Sequence, residues 1–257
     1  MIPIGDEPEV RQRGLPFVTY ALIALNVIAY GLELVYGDCF VAAFSTIPFA
    51  ITHDVSLPIQ GCPYGEPSPV YLTLLTSMFL HANLLHLAGN MVFLYVFGDN
   101  VEDRLGHVWF LLFYLFCGLV ASAAQILVDP NSQLLNLGAS GAIAGVLGAY
   151  LVFFPSAQVR TVVFAGTYFT VTRVSAFVML GLWFVLQLVS SLESLNPSDV
   201  ESGGVAFFAH VGGFVAGVLI ALAVRALTKT PAGYPASATS YPAWPVHRDL
   251  RARPSAS

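Results

Sequence analysis

Residues 138–155, GASGAIAGVLGAYLVFFP, form an apolar stretch that begins with a serine motif and ends at a proline. No charged residue interrupts it. From Ser140 to Pro155 a helix would extend about 24 Å at about 1.5 Å per residue, whereas the hydrocarbon core of a bilayer is about 30 Å thick. The stretch therefore predicts a short membrane helix whose serine end lies below the membrane surface.

The composition extends this prediction to the whole chain. Hydrophobic residues make up 56% of the sequence, charged residues only 10%, and the mean hydropathy is +0.74, which a soluble domain does not show. Long apolar stretches predict six spans, at about 16–36, 84–100, 107–128, 140–155, 174–192 and 204–227. We therefore expect an all-α membrane protein with six transmembrane helices, the first of them retained rather than cleaved as a signal peptide.

The basic residues predict the orientation. With six spans, all ten basic residues fall on one side: Arg11, Arg13, Arg104, Arg160, Arg173, Arg225, Lys229, Arg248, Arg251 and Arg253. The opposite loops, about 37–83, 129–139 and 193–203, contain acidic residues but no lysine or arginine. Because basic residues are retained in the cytoplasm, both termini are expected there. The sequence has no stripe of basic residues that would indicate nucleic-acid binding.

Three regions are expected along the chain. Residues 1–15 form a polar cytoplasmic segment, residues 16–227 the membrane domain, and residues 228–257, rich in proline, glycine, serine and alanine, a disordered cytoplasmic tail. The less polar connection at 156–173 is expected to lie as a hairpin at the inner interface.

The three cysteines fit this arrangement. Cys117 lies within the third span, where a buried inert thiol is expected. Cys39 and Cys62 share the first outward loop, which would face an oxidising compartment. A disulfide that closes this loop is therefore predicted, and two unpaired thiols are the alternative.

Ser140 and a histidine of the last span are expected at the same depth. His210 lies six residues into its span, roughly 9 Å below the outer surface. Glycines recur on both helices, at 141, 145 and 148 and at 213 and 217, a spacing that allows close helix approach. Ordinary packing glycines have the same spacing, but an ionisable residue within a span is costly and indicates function. A hydrogen bond between His210 and Ser140 is therefore predicted.

The second span contributes further polar groups at its outer end. His86 and Asn90 share one helical face, and His81 precedes them. Side chains that donate hydrogen bonds at this depth could stabilise an oxyanion, although Asn90 could equally bond neighbouring helices. A metal site is disfavoured, because no nearby carboxylate or thiolate completes the ligand set.

These motifs resemble those of the rhomboid intramembrane serine proteases. The resemblance rests on HANLLHLAGNMVFLYVFGDNVEDRLG at 81–106, GASG at 138–141 and AHVGGFVAG at 209–217. It covers the second to sixth spans in order. The serine motif is not the Gly-x-Ser-x-Gly elbow of α/β-hydrolases, since residue 142 is alanine.

The resemblance implies a role for each matching residue. Ser140 would be the nucleophile and His210 the general base of a Ser-His dyad, with no acid to orient the imidazole, while His86, Asn90 and the Ser140 backbone N–H would form the oxyanion hole. Supporting positions would be His81, Gly138, Gly141, Gly213 and Gly217. No cofactor or metal is implied. The substrates would be membrane proteins cut in or next to a transmembrane segment.

Two positions depart from the family pattern. Leu72 and Thr73 occupy the place of a Trp-Arg pair in the first outward loop of many members. Ala144 stands where some members have an aromatic ring against the catalytic histidine. Loop structure and the orientation of His210 are therefore open.

Four polar residues in the outer halves of the spans have two interpretations: Gln125, Gln187, Ser190 and Ser191. They would line a route for water or form hydrogen bonds between helices.

Two other functions would also place polar residues within membrane spans. A non-proteolytic relative would bind client transmembrane helices without cutting them, but it would not need Ser140 or His210. A channel or transporter should have a polar path through both halves, whereas the inner half here is apolar apart from Asn26. The expected location is the cytoplasmic membrane of a bacterium, with the active site opening to the extracytoplasmic side.

Overall fold

The structure is a computed structural model that describes residues 1–7, 14–63, 65–165, 168–193 and 206–228. Its α-helices are α1 (Phe17–Tyr36), α2 (Asp38–Phe44), α3 (Pro48–His53), α4 (Thr73–Thr76), α5 (Leu84–Leu105), α6 (His107–Val128), α7 (Ser140–Phe153), α8 (Ala176–Glu193) and α9 (Phe207–Thr228). Helices α1 and α5 to α9 lie at the six predicted spans. The predicted tail beyond residue 228 lies outside the described residues.

Not all of these helices are long enough to cross a bilayer by length and composition. Helices α1, α6 and α9 meet that condition, and α5 joins them if it forms one span with the segment Val70–Phe79, from which it is bent by 78°. Helices α7 and α8 are apolar but shorter. Among the described residues, three or four helices are therefore long and apolar enough to cross a membrane, and the count of six stays a prediction.

The expectation of an all-α chain is wrong, because a three-stranded antiparallel sheet accompanies the helices. It consists of β1 (Ile2–Glu7), β2 (Gln158–Ala165) and β3 (Tyr168–Ser175), with β2 in the centre. Strands β2 and β3 form the hairpin that the sequence predicted, and their valines and threonines favour strands. The sequence did not predict strand β1. It pairs with the free edge of β2 through backbone hydrogen bonds, and its side chains show no apolar pattern that would indicate a strand.

Strand β1 is attached to the bundle through one carboxylate. Asp6 Oδ2 accepts hydrogen bonds from Asn100 Nδ2, at 2.8 Å, and from the Tyr150 hydroxyl. Asn100 lies near the end of α5 and Tyr150 near the end of α7. The sheet therefore lies at the end of the bundle away from Ser140.

Helices α7 and α9 pack backbone to backbone. A β-carbon built on Gly213 would lie 2.0 Å from the carbonyl oxygen of Gly141, and one built on Gly217 would lie 2.0 Å from that of Gly145. The two pairs keep the same offset, so the helices run parallel. Buried Cys117 of α6 lies against Gly145. The first residues of α7 and α9 are therefore at the same end of the bundle.

The segment between α1 and α5 covers that end. Thr46 pairs with Asn136 through two backbone hydrogen bonds, and its hydroxyl lies 2.9 Å from that of Ser77. Cys39 and Cys62 are joined by a disulfide with a Cα–Cα distance of 5.5 Å. The Thr46–Asn136 pair holds the segment against the loop that precedes α7, and the other two contacts tie the segment to itself.

Candidate active site

Ser140 is the first residue of α7. Gly138, two residues earlier, has φ +128°, a conformation that a residue with a side chain rarely adopts, and its N–H donates to the Ser77 carbonyl at 2.8 Å. The first N–H groups of a helix have no partner within it. The turn thus holds the Ser140 hydroxyl beside free backbone donors.

His210 contacts this serine directly. Its Nε2 lies 2.7 Å from Ser140 Oγ, and the residue is only 8% exposed. It lies in the first turn of α9, and the glycine contacts between α7 and α9 bring the two side chains together. An imidazole at this distance can take the proton of the hydroxyl, which is how a serine is activated as a nucleophile.

A glutamine faces the other nitrogen of His210. Gln187 Oε1 of α8 lies 2.6 Å from His210 Nδ1. The sequence interpretation assigned Gln187 to a water route or to helix packing and expected no acid beside the imidazole. The residue beside Nδ1 is an amide and not an acid. The sequence signal for this contact was a glutamine within a mostly apolar span.

The aromatic surroundings of His210 come from α8 and α9. The Trp183 ring lies 6.1 Å from the imidazole, centroid to centroid, and Phe207 lies 6.3 Å away at 88°. Residue 144 of α7 is alanine and adds no ring to these two. In place of a ring at position 144, the aromatic neighbours of His210 are therefore Trp183 of α8 and Phe207 of α9.

His86 lies next to the serine turn. A β-carbon on Gly138 would be 3.0 Å from His86 Cε1, 3.2 Å from its Nε2 and 3.5 Å from Ser140 Oγ. The imidazole therefore adjoins the backbone just before the serine.

Asn90 lies one turn further along α5, and its amide Nδ2 is 3.0 Å from His81 Nε2. His81 is 1% exposed, and its backbone N–H donates to the carboxylate of Glu33 at 3.0 and 3.3 Å. Glu33, near the end of α1, thus anchors His81, and His81 contacts the Asn90 amide. The structure brings the three motif residues of α5 and its preceding loop into one group with His86 nearest the serine.

A small cavity of about 40 Å³ opens beside Ser140. Its polar lining includes Ser122, Gln125 and Asn136, and the Gln125 Oε1 atom is buried without a protein partner. A cavity needs about 10–15 Å³ to hold a water molecule. Gln125 therefore lines a space for water beside Ser140, whereas Gln187 contacts the histidine. Among the described residues, no group of three histidine, cysteine or acidic side chains is arranged to hold a metal ion.

Comparison with known proteins places these features in a family. Residues 69–227 match the model of the Rhomboid domain. The chain is 31% identical over 218 residues to Rhomboid protease GluP of Bacillus subtilis (strain 168), covering 85% of this chain and 37% of that protein. It is 32% identical over 163 residues to Rhomboid-like protein 11, chloroplastic, of Arabidopsis thaliana, covering 63% and 55%. It is 25% identical over 221 residues to Rhomboid protease AarA of Providencia stuartii, covering 80% and 72%.

The chain thus spans little more than a third of the Bacillus protein and about half of the Arabidopsis protein. The matched range nevertheless covers more than half of this chain and contains Ser140, His210 and the three motif residues before and within α5. The chain therefore belongs to the rhomboid family.

Proposed function

We propose that this chain is a serine endopeptidase that hydrolyses peptide bonds in or next to transmembrane segments of membrane proteins. The observation that carries the proposal is the 2.7 Å contact between His210 Nε2 and Ser140 Oγ. Two of the relatives are named proteases, which supports the same reaction class. No cofactor or metal takes part.

In the proposed mechanism, Ser140 Oγ attacks the scissile carbonyl carbon while His210 Nε2 takes the hydroxyl proton. The imidazolium then gives this proton to the leaving amine, and an acyl-enzyme remains. His210 then takes a proton from water as its oxygen attacks the ester carbonyl, and returns that proton to Ser140 Oγ as the bond to the serine breaks and the carboxylic acid product leaves. The cavity lined by Gln125 lies where that water is needed.

The oxyanion would be stabilised by the Ser140 backbone N–H together with His86 and Asn90. The N-terminal end of α7 adds the positive end of its helix dipole at this point. Asn90 must turn part of its amide from His81 toward the oxyanion, a movement of a single side chain. Such donors act most strongly where water is excluded.

The proposed substrate is a membrane protein because the serine lies at the end of a short apolar helix. A substrate helix hides its carbonyls in hydrogen bonds, so a segment that unwinds easily would be cut preferentially. We further propose six membrane spans, both termini in the cytoplasm, and an active site that opens to the extracytoplasmic side of a bacterial cytoplasmic membrane. Of the described basic residues, Arg104 and Arg225 lie near the ends of α5 and α9 away from Ser140, and Arg160 and Arg173 lie in the sheet at that same end. Their placement agrees with this orientation.

The second candidate is a non-proteolytic member that binds client transmembrane helices. The two functions differ in whether Ser140 is reactive. We would treat detergent-purified protein with a fluorophosphonate probe and compare wild type, Ser140→Ala and His210→Ala by in-gel fluorescence and intact mass. Ser45→Ala, at a buried serine bonded to the Val41 carbonyl, is the matched control.

Labelling of wild type and Ser45→Ala alone, with the label mapped to the peptide containing Ser140, supports the protease. Wild type should also cut a model transmembrane substrate in liposomes, and Ser140→Ala should not. Equal turnover by Ser140→Ala would exclude the serine mechanism. A folded wild type that binds the substrate but neither labels nor cuts would favour the binding function.

A further inference from the structure

We propose that Gln187 is a positioning residue of the dyad, which fixes the tautomer and orientation of His210 by accepting a hydrogen bond from its Nδ1–H. The inference rests on the proposed serine protease function. The proposed site is then a chain of hydrogen bonds from Ser140 through His210 to an amide of α8. The amide oxygen and Nδ1 are 2.6 Å apart.

The tautomer decides whether His210 can act as a base. A neutral imidazole carries one proton, on either Nδ1 or Nε2. If Nδ1 carries it, Nε2 has a free lone pair for the Ser140 proton. If Nε2 carries it, the histidine can only donate to the serine. An amide oxygen facing Nδ1 selects the first form, because an oxygen can accept a hydrogen bond but cannot donate one.

The location of Gln187 explains why an amide serves in place of a carboxylate. An ionised acid within a span is expensive to bury, and it repays that cost only with a charged partner. A neutral amide supplies the acceptor without burying a charge. It stabilises the imidazolium less than an acid would, so its main effect is orientation.

The placement of Gln187 also depends on the rest of α8. Trp183 precedes it by four residues, so the two side chains share one helical face, and both contact His210. The Ser191 hydroxyl donates to the Gln187 carbonyl at 2.7 Å one turn later. A shift of α8 away from α9 would therefore remove the aromatic neighbour and the Nδ1 acceptor together.

The test compares wild type with Gln187→Leu, which removes the acceptor at similar volume, and Gln187→Glu, which keeps an acceptor and adds a charge. Leu186→Ala, at an exposed position of the same helix, is the control. For each variant we would measure kcat and KM on a model transmembrane substrate from pH 5 to 9. Nitrogen-15 NMR of histidine-labelled protein would report the tautomer of His210, and thermal melting would report folding.

We expect Gln187→Leu to lower kcat about tenfold to a hundredfold, as loss of a partner that orients a catalytic imidazole does, with KM unchanged. Its His210 signals should show a mixture of tautomers. Gln187→Glu should keep the Nδ1–H tautomer and move the acid limb of the rate profile to higher pH, because a carboxylate stabilises the imidazolium. Leu186→Ala should match wild type in all three measurements.

The inference is overturned if folded Gln187→Leu retains the wild-type kcat and the Nδ1–H tautomer. If that variant does not fold, a Gln187→Glu profile identical to wild type overturns it instead. These results differ from failure of the proposed function, in which wild type itself would be inactive or Ser140→Ala would remain active.

Discussion

Gly213 lies so close to Gly141 that a β-carbon on Gly213 would be 2.0 Å from the Gly141 carbonyl oxygen. The obstacle is backbone, which cannot turn aside as a flexible side chain can. We expect Gly213→Ala to push α9 away from α7, to lower stability by about 1–3 kcal/mol or more, and to reduce cleavage more than tenfold, because His210 moves with α9. Thermal melting and substrate cleavage measure the two effects.

Gly181→Ala provides the matched control. A β-carbon on Gly181 of α8 would meet no atom within 4 Å, and alanine favours a helix over glycine. This variant should therefore be as stable and as active as wild type. Full activity of a folded Gly213→Ala protein would contradict the close approach of the two helices.

The two proposed oxyanion donors should affect the rate and not the fold. Replacing His86 or Asn90 by alanine should lower kcat roughly tenfold to a thousandfold, as loss of one such donor does, with a small change in KM. Steady-state cleavage of a model substrate measures it. The control is Asn26→Ala, which removes a buried amide that donates to the Leu22 carbonyl within α1. If Asn26→Ala lowers kcat as much as Asn90→Ala, the oxyanion role of Asn90 fails.

A buried carboxylate joins α5 to the start of α1. Glu102 is 1% exposed and accepts hydrogen bonds from the Val18 N–H at 2.9 Å and from the Thr19 N–H and hydroxyl at 2.7 Å. It also contacts His107 Nδ1. Glu102→Ala should cost about 2–4 kcal/mol of stability, since it leaves several buried donors unpaired. Chemical or thermal unfolding in detergent would measure the loss.

Glu102→Gln keeps one acceptor oxygen and should fall between wild type and Glu102→Ala. Below the melting temperature all three proteins should cleave at similar rates, because Glu102 lies at the end of the bundle away from Ser140. A loss of kcat in folded Glu102→Gln would mean that the two ends of the bundle are coupled.

The two residues of the proposed dyad could be singled out from the sequence because intramembrane polar groups are rare and costly. Ser140 and His210 could be matched in depth from helix rise alone, and the glycine spacing on α7 and α9 indicated a close pair. The contacts of Gln187 and Trp183 could not be predicted. They depend on how α8 is rotated against α9, and a nearly uniform apolar helix carries little information on its rotation.

Strand β1 could not be predicted for a related reason. Its pairing with β2 depends on backbone groups and on Asp6 reaching Asn100 and Tyr150, which lie far away in sequence. In a short polar segment such an attachment leaves no periodic pattern. The hairpin of β2 and β3, by contrast, had the valines and threonines of strands in its own sequence.

The disulfide of the outer segment should contribute to stability and not to chemistry. Cys39 and Cys62 are 23 residues apart, and closing a loop of that size stabilises by about 3 kcal/mol in the chain-entropy model. The double variant Cys39→Ser/Cys62→Ser should therefore melt at lower temperature and label with the fluorophosphonate at the wild-type rate. Reducing agent should lower the melting temperature of wild type but not of the double variant. An equal effect of the reducing agent on both proteins would mean that it does not act through this disulfide.

The attachment of β1 should depend on pH through Asp6. Burial raises the pKa of Asp6 above its ordinary value of 3.8, although the Tyr150 hydroxyl acts in the opposite direction. The folded state therefore holds the proton more tightly than the unfolded state. The contribution of Asp6 to stability is complete below pH 3.8 and is lost as the pH rises through the raised pKa. Asp6→Asn keeps the shape of the side chain but cannot ionise, so the attachment of β1 in this variant should not change with pH in this range.

Hydrogen exchange of the Ile2–Glu7 amides from pH 4 to 7, corrected for the intrinsic rate, would measure this difference. Protection of β1 should fall with pH in wild type and stay level in Asp6→Asn, which should be the better protected of the two at pH 7. Glu7→Gln is the control: Glu7 is exposed and its ion pair with Arg173 contributes little, so this variant should follow the wild-type profile. Protection that rises with pH in wild type relative to Asp6→Asn would mean that the ionised carboxylate, held by Asn100 and Tyr150, is the form that attaches the strand.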